Sequence, residues 1–143
     1  MRFQFSRLRR HTEGAALVEF ALIAPMLLGL MIGVIQIGIS MQAYNSMRGV
    51  ASDTARFAVV AYQNQNEVTD TQIETEGVRI ASGAPYLLGN GVEIDVANVD
   101  TPRVEGTFEK TVTVRYRPPD IMPFYSFTNP QLTFERSIFL IDE

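Results

Sequence analysis

One uncharged apolar stretch, residues 20–41, constrains this chain more than any other part of its sequence. It contains 22 residues without a charged side chain. As an α-helix rising about 1.5 Å per residue, it would be roughly 33 Å long. The hydrocarbon core of a bilayer is about 30 Å thick. The stretch therefore predicts a helix that crosses a membrane once, so the segments on its two sides lie in different compartments.

Charge is distributed unevenly on the two sides of this stretch. Residues 1–14 contain four Arg and one Glu, whereas the rest of the chain contains 8 basic and 15 acidic side chains. Because positively charged flanks remain in the cytoplasm, we expect the N-terminus inside and the rest of the chain outside. An acidic body without a basic cluster also argues against a nucleic-acid partner.

A cleavable secretory signal peptide is one alternative for a basic leader followed by an apolar stretch. The apolar part of such a peptide has about 7–15 residues, fewer than this one. The residues that follow, Ser40-Met41-Gln42-Ala43-Tyr44, also form a poor small-x-small cleavage site. A plain single-span anchor explains the length and the basic flank, but it does not explain the carboxylate of Glu19 at the leading edge.

Glu19 needs a favourable environment at the membrane. An ionised carboxylate at the centre of a membrane helix costs about 2.5–3.5 kcal/mol, and less near the interface. The helix dipole offsets part of this cost in the first turn. A free α-amino group in the same layer would offset more. Cleavage between Gly14 and Ala15 would create such a group, close to Glu19 of the same chain or of a neighbour.

The sequence around Glu19 resembles a known processing motif. The string Gly14-Ala15-Ala16-Leu17-Val18-Glu19-Phe20, after a basic leader, is similar to the type IV prepilin motif. The longer string GAALVEFALIAPMLLGLMIGVIQIG resembles the TadE-like pseudopilins of tight-adherence (Flp, type IVc) pilus systems, and the similarity extends over residues 7–60. The resemblance implies that a prepilin peptidase cuts after Gly14 and that the mature chain begins at Ala15. Phe20 departs from the Tyr typical of the major Flp pilins but fits the TadE-like pattern.

Small residues and one proline lie within the predicted span. Pro25 removes one helical hydrogen bond and should kink the helix. Gly29 and Gly33 form a GxxxG pair, and Gly38 and Ser40 extend a series of small residues that would let another helix approach closely. Because Gly is common in membrane helices, its presence here has an equally good explanation without packing.

Beyond the span, residues 42–63 keep a helical spacing of apolar side chains, so we expect the helix to continue to about residue 62. Gly49 weakens this part by about 1 kcal/mol relative to Ala without ending it. The apolar stripe of this extension is rich in Ala. It either packs only on the C-terminal domain of the same chain or also on neighbouring subunits.

A short second helix is predicted after the polar connector at residues 63–70. Thr71-Gln72-Ile73-Glu74 matches a capping box, and the helix should end near residues 82–83. Glu74 and Glu76 are expected to face solvent. The predicted inward face consists of Ile73, Gly77, Ile80, Ala81 and Ala84.

Three alternating segments predict strands at residues 92–99, 107–116 and 131–141. Lys110 and Arg136 interrupt otherwise apolar faces. The predicted inward residues are Val92, Ile94 and Val96, then Phe108, Val112, Val114 and Tyr116, then Leu132, Phe134, Ile138 and Leu140. The fold class predicted is α+β, with an antiparallel sheet of about three strands on the long helix.

The connection at residues 117–130 contains four Pro and three aromatic residues and is unusually apolar for a loop. It is either a satellite of the core or a surface that contacts a partner. The domain boundaries predicted are a removable leader at 1–14, a transmembrane helix at 15–41, an amphipathic extension at 42–63 and a periplasmic domain at 64–143.

Catalytic motifs are absent from the sequence. It has no Cys and a single His, His11 in the leader, and it lacks GxSxG, HExxH, P-loop and GxGxxG patterns. Since an enzyme needs a constellation of such groups, we expect no enzyme, no cofactor and no small-molecule substrate. Glu93 and Asp95 share one strand face, which suits solvated side chains better than a metal site.

The function that the resemblance implies is that of a minor pilin or pseudopilin in the assembly of a type IVc (Flp/Tad) adhesion pilus. The implied partners are a prepilin peptidase, other pilins or pseudopilins, the inner-membrane assembly platform and membrane lipid. Glu19 and Phe20 would serve subunit pairing, and Gly29, Gly33 and Gly38 helix packing. The alternative is a single-span anchored periplasmic binding or scaffold protein unrelated to pili.

Overall fold

The structure is a computed structural model that describes residues 12–64, 68–89, 91–104, 106–121 and 130–141. Its dominant element is helix α1, Thr12–Gln63, with 52 residues. The helix continues through Pro25 and past the apolar stretch, as the spacing predicts. Among the described residues it is the single helix long and apolar enough to cross a membrane. A long apolar N-terminal helix of this kind fits a single-pass membrane anchor.

The C-terminal half of α1 carries the hydrophobic core on one side. Its small side chains let the rest of the domain pack close to the helix axis, and they confirm that the Ala-rich stripe packs on the chain's own domain. The buried residues of this stripe are Ala43, Met47, Val50, Ala51, Thr54, Ala55, Ala58 and Ala61.

Helix α2, Asp70–Ser82, begins with a capping box two residues earlier than predicted. The N–H of Gln72 donates to Thr69 Oγ1 (3.3 Å), and the N–H of Thr69 donates to Gln72 Oε1 (2.9 Å). The predicted box at Thr71 is wrong because the carboxylate of Glu74 accepts the N–H of Val96 instead (3.0 Å). Glu74 is accordingly half-buried rather than solvated. The predicted inward face is confirmed at Ile73, Gly77 and Ala81 but is wrong at Ala84, which lies beyond the end of the helix and is exposed.

Strands β1 (Glu93–Asn98), β2 (Thr107–Tyr116) and β3 (Leu132–Ile141) form one antiparallel sheet in the order β1-β2-β3. The sheet packs on both helices, which confirms the α+β class. Its buried centre consists of Val96, Val112, Val114, Ile138 and Leu140. Register places Val112 between Val96 and Arg136, and Val114 between Ile94 and Phe134.

The start of β2 differs from the predicted alternation. Phe108, predicted to point inward, is 56% exposed, whereas Glu109 is only 3% exposed. Lys110 pairs with Asp70, the first residue of α2. Phe108 is the next residue of β2 on the same face, so it lies beyond the end of that helix. Arg103 covers Glu109 from the other side of the sheet. Coverage by neighbouring elements therefore overrides the alternation here.

Two predicted segments lie largely outside the described residues. The leader is described only from residue 12, and the connection at 117–130 only at 117–121 and 130. In its described part, Pro118 is buried, and the main chain at residues 119 and 121 contacts α1.

Candidate membrane-anchor and processing segment

The N-terminal half of α1 exposes large apolar side chains on all sides. From residue 15 to residue 35 the helix has 21 residues, which corresponds to about 31 Å. That length matches a hydrocarbon core of about 30 Å. Such a surface is far larger than the apolar patches that soluble monomers expose. Its largest exposed residues are Leu17, Val18, Phe20, Leu22, Ile23, Met26, Leu27, Leu28, Leu30, Met31, Val34 and Ile35.

The residues of the predicted processing motif lie together at the start of this surface. Gly14, Ala15, Glu19 and Phe20 are all helical and exposed. A Cβ added to Gly14 would meet no described residue within 4 Å. Ala15 and Glu19 are four residues apart, so they lie on the same face about 6 Å apart along the axis. Within the described ranges, Glu19 has no ion-pair partner.

The predicted packing glycines lie on the exposed helix but not on one common face. Gly29 and Gly33 are four residues apart and face the same way, whereas Gly38 is rotated by about 140° from Gly33. Added Cβ atoms at Gly29 and Gly38 would meet nothing within 4 Å. Packing by these glycines stays a prediction, because it requires a partner helix. α1 is continuous at Pro25, and a bend there also stays a prediction.

Gln36 is a functional candidate that sequence reasoning missed. Its side chain is 7% exposed, and among residues 14–63 of α1 it is the first buried one. Its Nε2 donates to the carbonyl of Pro119 (3.1 Å), and its Oε1 accepts the N–H of Ile121 (3.1 Å). Both ends of the carboxamide thus hold the segment that follows β2. The available signal was that Gln36 is the one carboxamide within residues 20–41.

A second contact ties the turn after α2 to α1. The hydroxyl of Tyr86 donates to Asp53 Oδ2 (2.8 Å), and this hydrogen bond to the carboxylate raises the pKa of Tyr86. The ring lies over Gly49, where an added Cβ would be 2.3 Å from Tyr86 Cε1. Gly49 is therefore explained by close approach, a reason that its sequence context did not indicate.

Two charged side chains of β2 form ion pairs with residues that lie outside the sheet. Lys110 Nζ lies 2.5 Å from Asp70 Oδ1. The carboxylate of Glu109 accepts hydrogen bonds from the Arg103 guanidinium and from the Arg103 N–H. These bonds hold the pKa of Glu109 below its usual value. Both pairs fix the domain internally rather than forming a reactive cluster.

Glu93 and Asp95 share one face of β1. In the parts of the chain that the structure describes, no three His, Asp or Glu side chains come together as metal ligands would. Asp95 Oδ2 instead lies 4.0 Å from Arg115 Nη2. The exposed anchor with its leading motif is thus the strongest candidate for a functional site.

Comparison with known proteins points to the same segment. Residues 14–56 match the family described as TadE-like protein. The match begins at Gly14, covers the exposed anchor and ends within the buried half of α1. No curated protein and no solved structure matches the chain. The resemblance drawn from the sequence is thereby confirmed for this segment.

Proposed function

We propose that this chain, whose residues 14–56 form a TadE-like segment, is a minor pilin or pseudopilin that takes part in assembling a type IVc (Flp/Tad) pilus. The observation that carries the proposal is the arrangement of Gly14 and Glu19. They lie at the start of an exposed apolar helix of bilayer length, and the family match begins at the same glycine.

The chain would enter this role as a substrate of a prepilin peptidase that cuts after Gly14. Among the described residues, nothing lies within 4 Å of a Cβ added at Gly14. The first turn of a helix lacks partners for its N–H groups, so it frays readily and can present an extended strand to a protease. Removal of residues 1–14 takes away four Arg and leaves an amino group on Ala15.

Glu19 would then pair with the Ala15 amino group of a neighbouring pilin. Since Ala15 and Glu19 are about 6 Å apart along one helix, two helices shifted by about one turn bring amine and carboxylate into one layer. An intramembrane carboxylate is costly without such a partner. The pairing therefore favours one axial register between neighbouring subunits, with Phe20 and the small residues of the helix at the contact.

The orientation follows from charge. The Arg-rich leader would lie in the cytoplasm, and the domain that follows α1 in the periplasm. The inner membrane would thus hold the chain before assembly, close to the other pilins and the assembly platform.

Processing is tested on the full chain in bacterial membranes with and without an active prepilin peptidase. Intact mass and N-terminal sequencing should show a mature chain that begins at Ala15 only when the peptidase is present. Gly14→Val should leave the heavier form, because the added side chain obstructs the cleavage site. Gly29→Val, the same change at another exposed helical glycine, should be cleaved normally.

A chain that keeps residues 1–14 beside an active peptidase contradicts the proposal. That result would favour the alternative of a single-span anchored periplasmic binding or scaffold protein.

Pairing is tested separately with Glu19→Ala. Cleavage should be unchanged, since the substitution leaves Gly14 and Ala15 in place, but pilus formation should be strongly reduced. Val18→Ala, at the neighbouring exposed position, serves as the matched control. Normal numbers of pili on cells carrying Glu19→Ala would show that this carboxylate has no part in assembly.

A further inference from the structure

The position of Gln36 relates the domain to the membrane surface. The described side chains of α1 are exposed or half-buried up to residue 35. Gln36 is the first of them that other residues of the protein bury. The groups that bury it include the irregular main chain of Pro119 and Ile121. Exposed apolar side chains continue on the other faces of the helix to Ile37 and Met41, so Gln36 marks the base of the domain on the face of α1 where the domain packs.

Irregular backbone cannot lie against lipid in the hydrocarbon layer, because its N–H and C=O groups would lack partners. Residues 117–121 are neither helix nor strand, and all of them except Pro118 are exposed, so we expect the hydrocarbon layer to end near Gln36. The length of the anchor agrees with this boundary if the span begins at Ala15. Residues 15–35 span about 31 Å as a helix, close to the thickness of a bilayer core.

We propose that the segment 117–121 rests on the outer surface of the bilayer, with Ile121 at the boundary between phospholipid headgroups and acyl chains. Ile121 is 39% exposed although it is apolar and directly beside the end of the anchor. This inference rests on the proposed function only in taking α1 as the membrane anchor. On the face of α1 that carries the domain, it places the outer boundary of the predicted span near residue 36 instead of residue 41.

Gln36 acts as the positioning residue of this contact. Its carboxamide satisfies one acceptor at residue 119 and one donor at residue 121, at a depth where water is scarce. The segment contains one Arg, Arg117, and one acid, Asp120. Its net charge is therefore zero, so we expect the contact to rest on the apolar side chain of Ile121 and not to depend on anionic headgroups.

The chain has no Trp, so single-Trp variants of the full chain report the depth of one position each. Ile121→Trp, Met26→Trp and Val60→Trp are reconstituted in phosphatidylcholine vesicles whose acyl chains are brominated either near the headgroup or near their ends. Val60 is the matched control, since it is 46% exposed but lies about 36 Å along the helix from Gln36.

Ile121→Trp should lose most of its emission in vesicles brominated near the headgroup and much less in those brominated near the chain ends. Met26→Trp should show the opposite preference, and Val60→Trp should keep its emission in both. If Ile121→Trp behaves like Val60→Trp while Met26→Trp is quenched, the domain does not rest on the membrane. An unquenched Met26→Trp would overturn the anchor itself together with this inference.

The role of Gln36 is tested by adding Gln36→Leu, which keeps the size of the side chain and removes both hydrogen bonds. Quenching of Ile121→Trp should fall, while quenching of Met26→Trp should stay the same. Unchanged quenching of Ile121→Trp would show that Gln36 does not position the segment. Replacing part of the lipid with phosphatidylglycerol should alter neither signal, and a marked increase for Ile121→Trp would refute an apolar contact.

Discussion

The ion pair between Lys110 and Asp70 allows a quantitative test of how the domain tolerates a charge on its inward face. Lys110 lies on the face of β2 that includes Val112, and its side chain is 10% exposed. Asp70 is 33% exposed and is the first residue of α2. There the helix dipole favours an anion. Asp70 Oδ2 also lies 3.5 Å from Asn98 Nδ2.

The two partners should not be equally costly to replace. Removing one member of a fully buried pair costs about 3–5 kcal/mol, and an exposed pair contributes about 0–1 kcal/mol. Asp70→Ala leaves the nearly buried ammonium group of Lys110 without its partner, beside a partly solvated site. We therefore expect the free energy of unfolding to fall by about 2 kcal/mol. Lys110→Met keeps the aliphatic stem, and Asp70 retains water and the helix dipole. We therefore expect it to cost less than about 1 kcal/mol.

The assay is urea unfolding of the full chain in a mild detergent, followed by near-ultraviolet circular dichroism of its tyrosines. With a slope of about 1–2 kcal/mol per molar urea, Asp70→Ala should lower the midpoint by about 1–2 M. In the Lys110→Met background the same change should cost little. Glu76→Ala, which breaks the exposed pair with Arg79, is the control and should cost less than about 0.5 kcal/mol.

Equal costs for Asp70→Ala and Lys110→Met would refute this reasoning. So would additive costs in the double variant, because additivity means that the two groups do not depend on each other.

Three further outcomes follow from single contacts and use the same unfolding assay. Gly49→Ala should destabilise by about 1–2 kcal/mol, because the added methyl displaces the Tyr86 ring, yet in a Tyr86→Ala background it should stabilise by up to about 1 kcal/mol through helix propensity. Met47→Ala should cost about 2–5 kcal/mol, since this side chain is fully buried; a smaller loss would mean that the site collapses around the cavity. The pKa of Glu109 is held low by Arg103, so the stability that this carboxylate contributes is fully present above its ordinary pKa of about 4.3 and is lost as the pH falls through the lower folded value. Glu109→Gln should therefore be less sensitive to pH in that acidic window, and an unchanged acid profile would contradict this assignment.

Local patterns in the sequence predict the elements of this fold because each depends on neighbours a few residues apart. The unbroken helical spacing through residues 42–63 predicts the extension of α1, and the alternation at residues 107–116 predicts the bounds of β2. Thr69 and Thr71 both precede a residue that can complete a capping box. Choosing between them requires knowing that Glu74 is engaged by β1, which is a tertiary fact.

The contacts that position the candidate site could not be predicted in the same way. Gln36 finds its partner 85 residues later in the chain, and Lys110 finds Asp70 40 residues earlier. Periodicity identifies both as polar residues in apolar surroundings, but it does not say what satisfies them. The prediction that residues 14–20 form a processing motif came from resemblance rather than from periodicity.

The size of the side chains along α1 differs between the half that packs on the domain and the half that is exposed. From residue 43 onward the buried positions are mostly Ala, so α2 and the sheet can approach the helix axis closely. From residue 15 to residue 35 most side chains are apolar and exposed, and many of them are large, which suits lipid or other helices. The change occurs at Gln36, where one carboxamide connects the helix to the base of the domain.

The position of Gln36 also determines how deep Glu19 would lie in the membrane. Because α1 is one continuous helix, Glu19 lies 17 residues before Gln36, or about 26 Å along the axis. If the domain rests on the outer surface of a core about 30 Å thick, the carboxylate lies about 4 Å inside the inner edge, with Ala15 at that edge. An extra turn of helix between them would move Glu19 out to the headgroups and remove the cost that makes an amine partner favourable. If both proposals hold, the position of the domain and the requirement for a paired charge are coupled through the length of one helix.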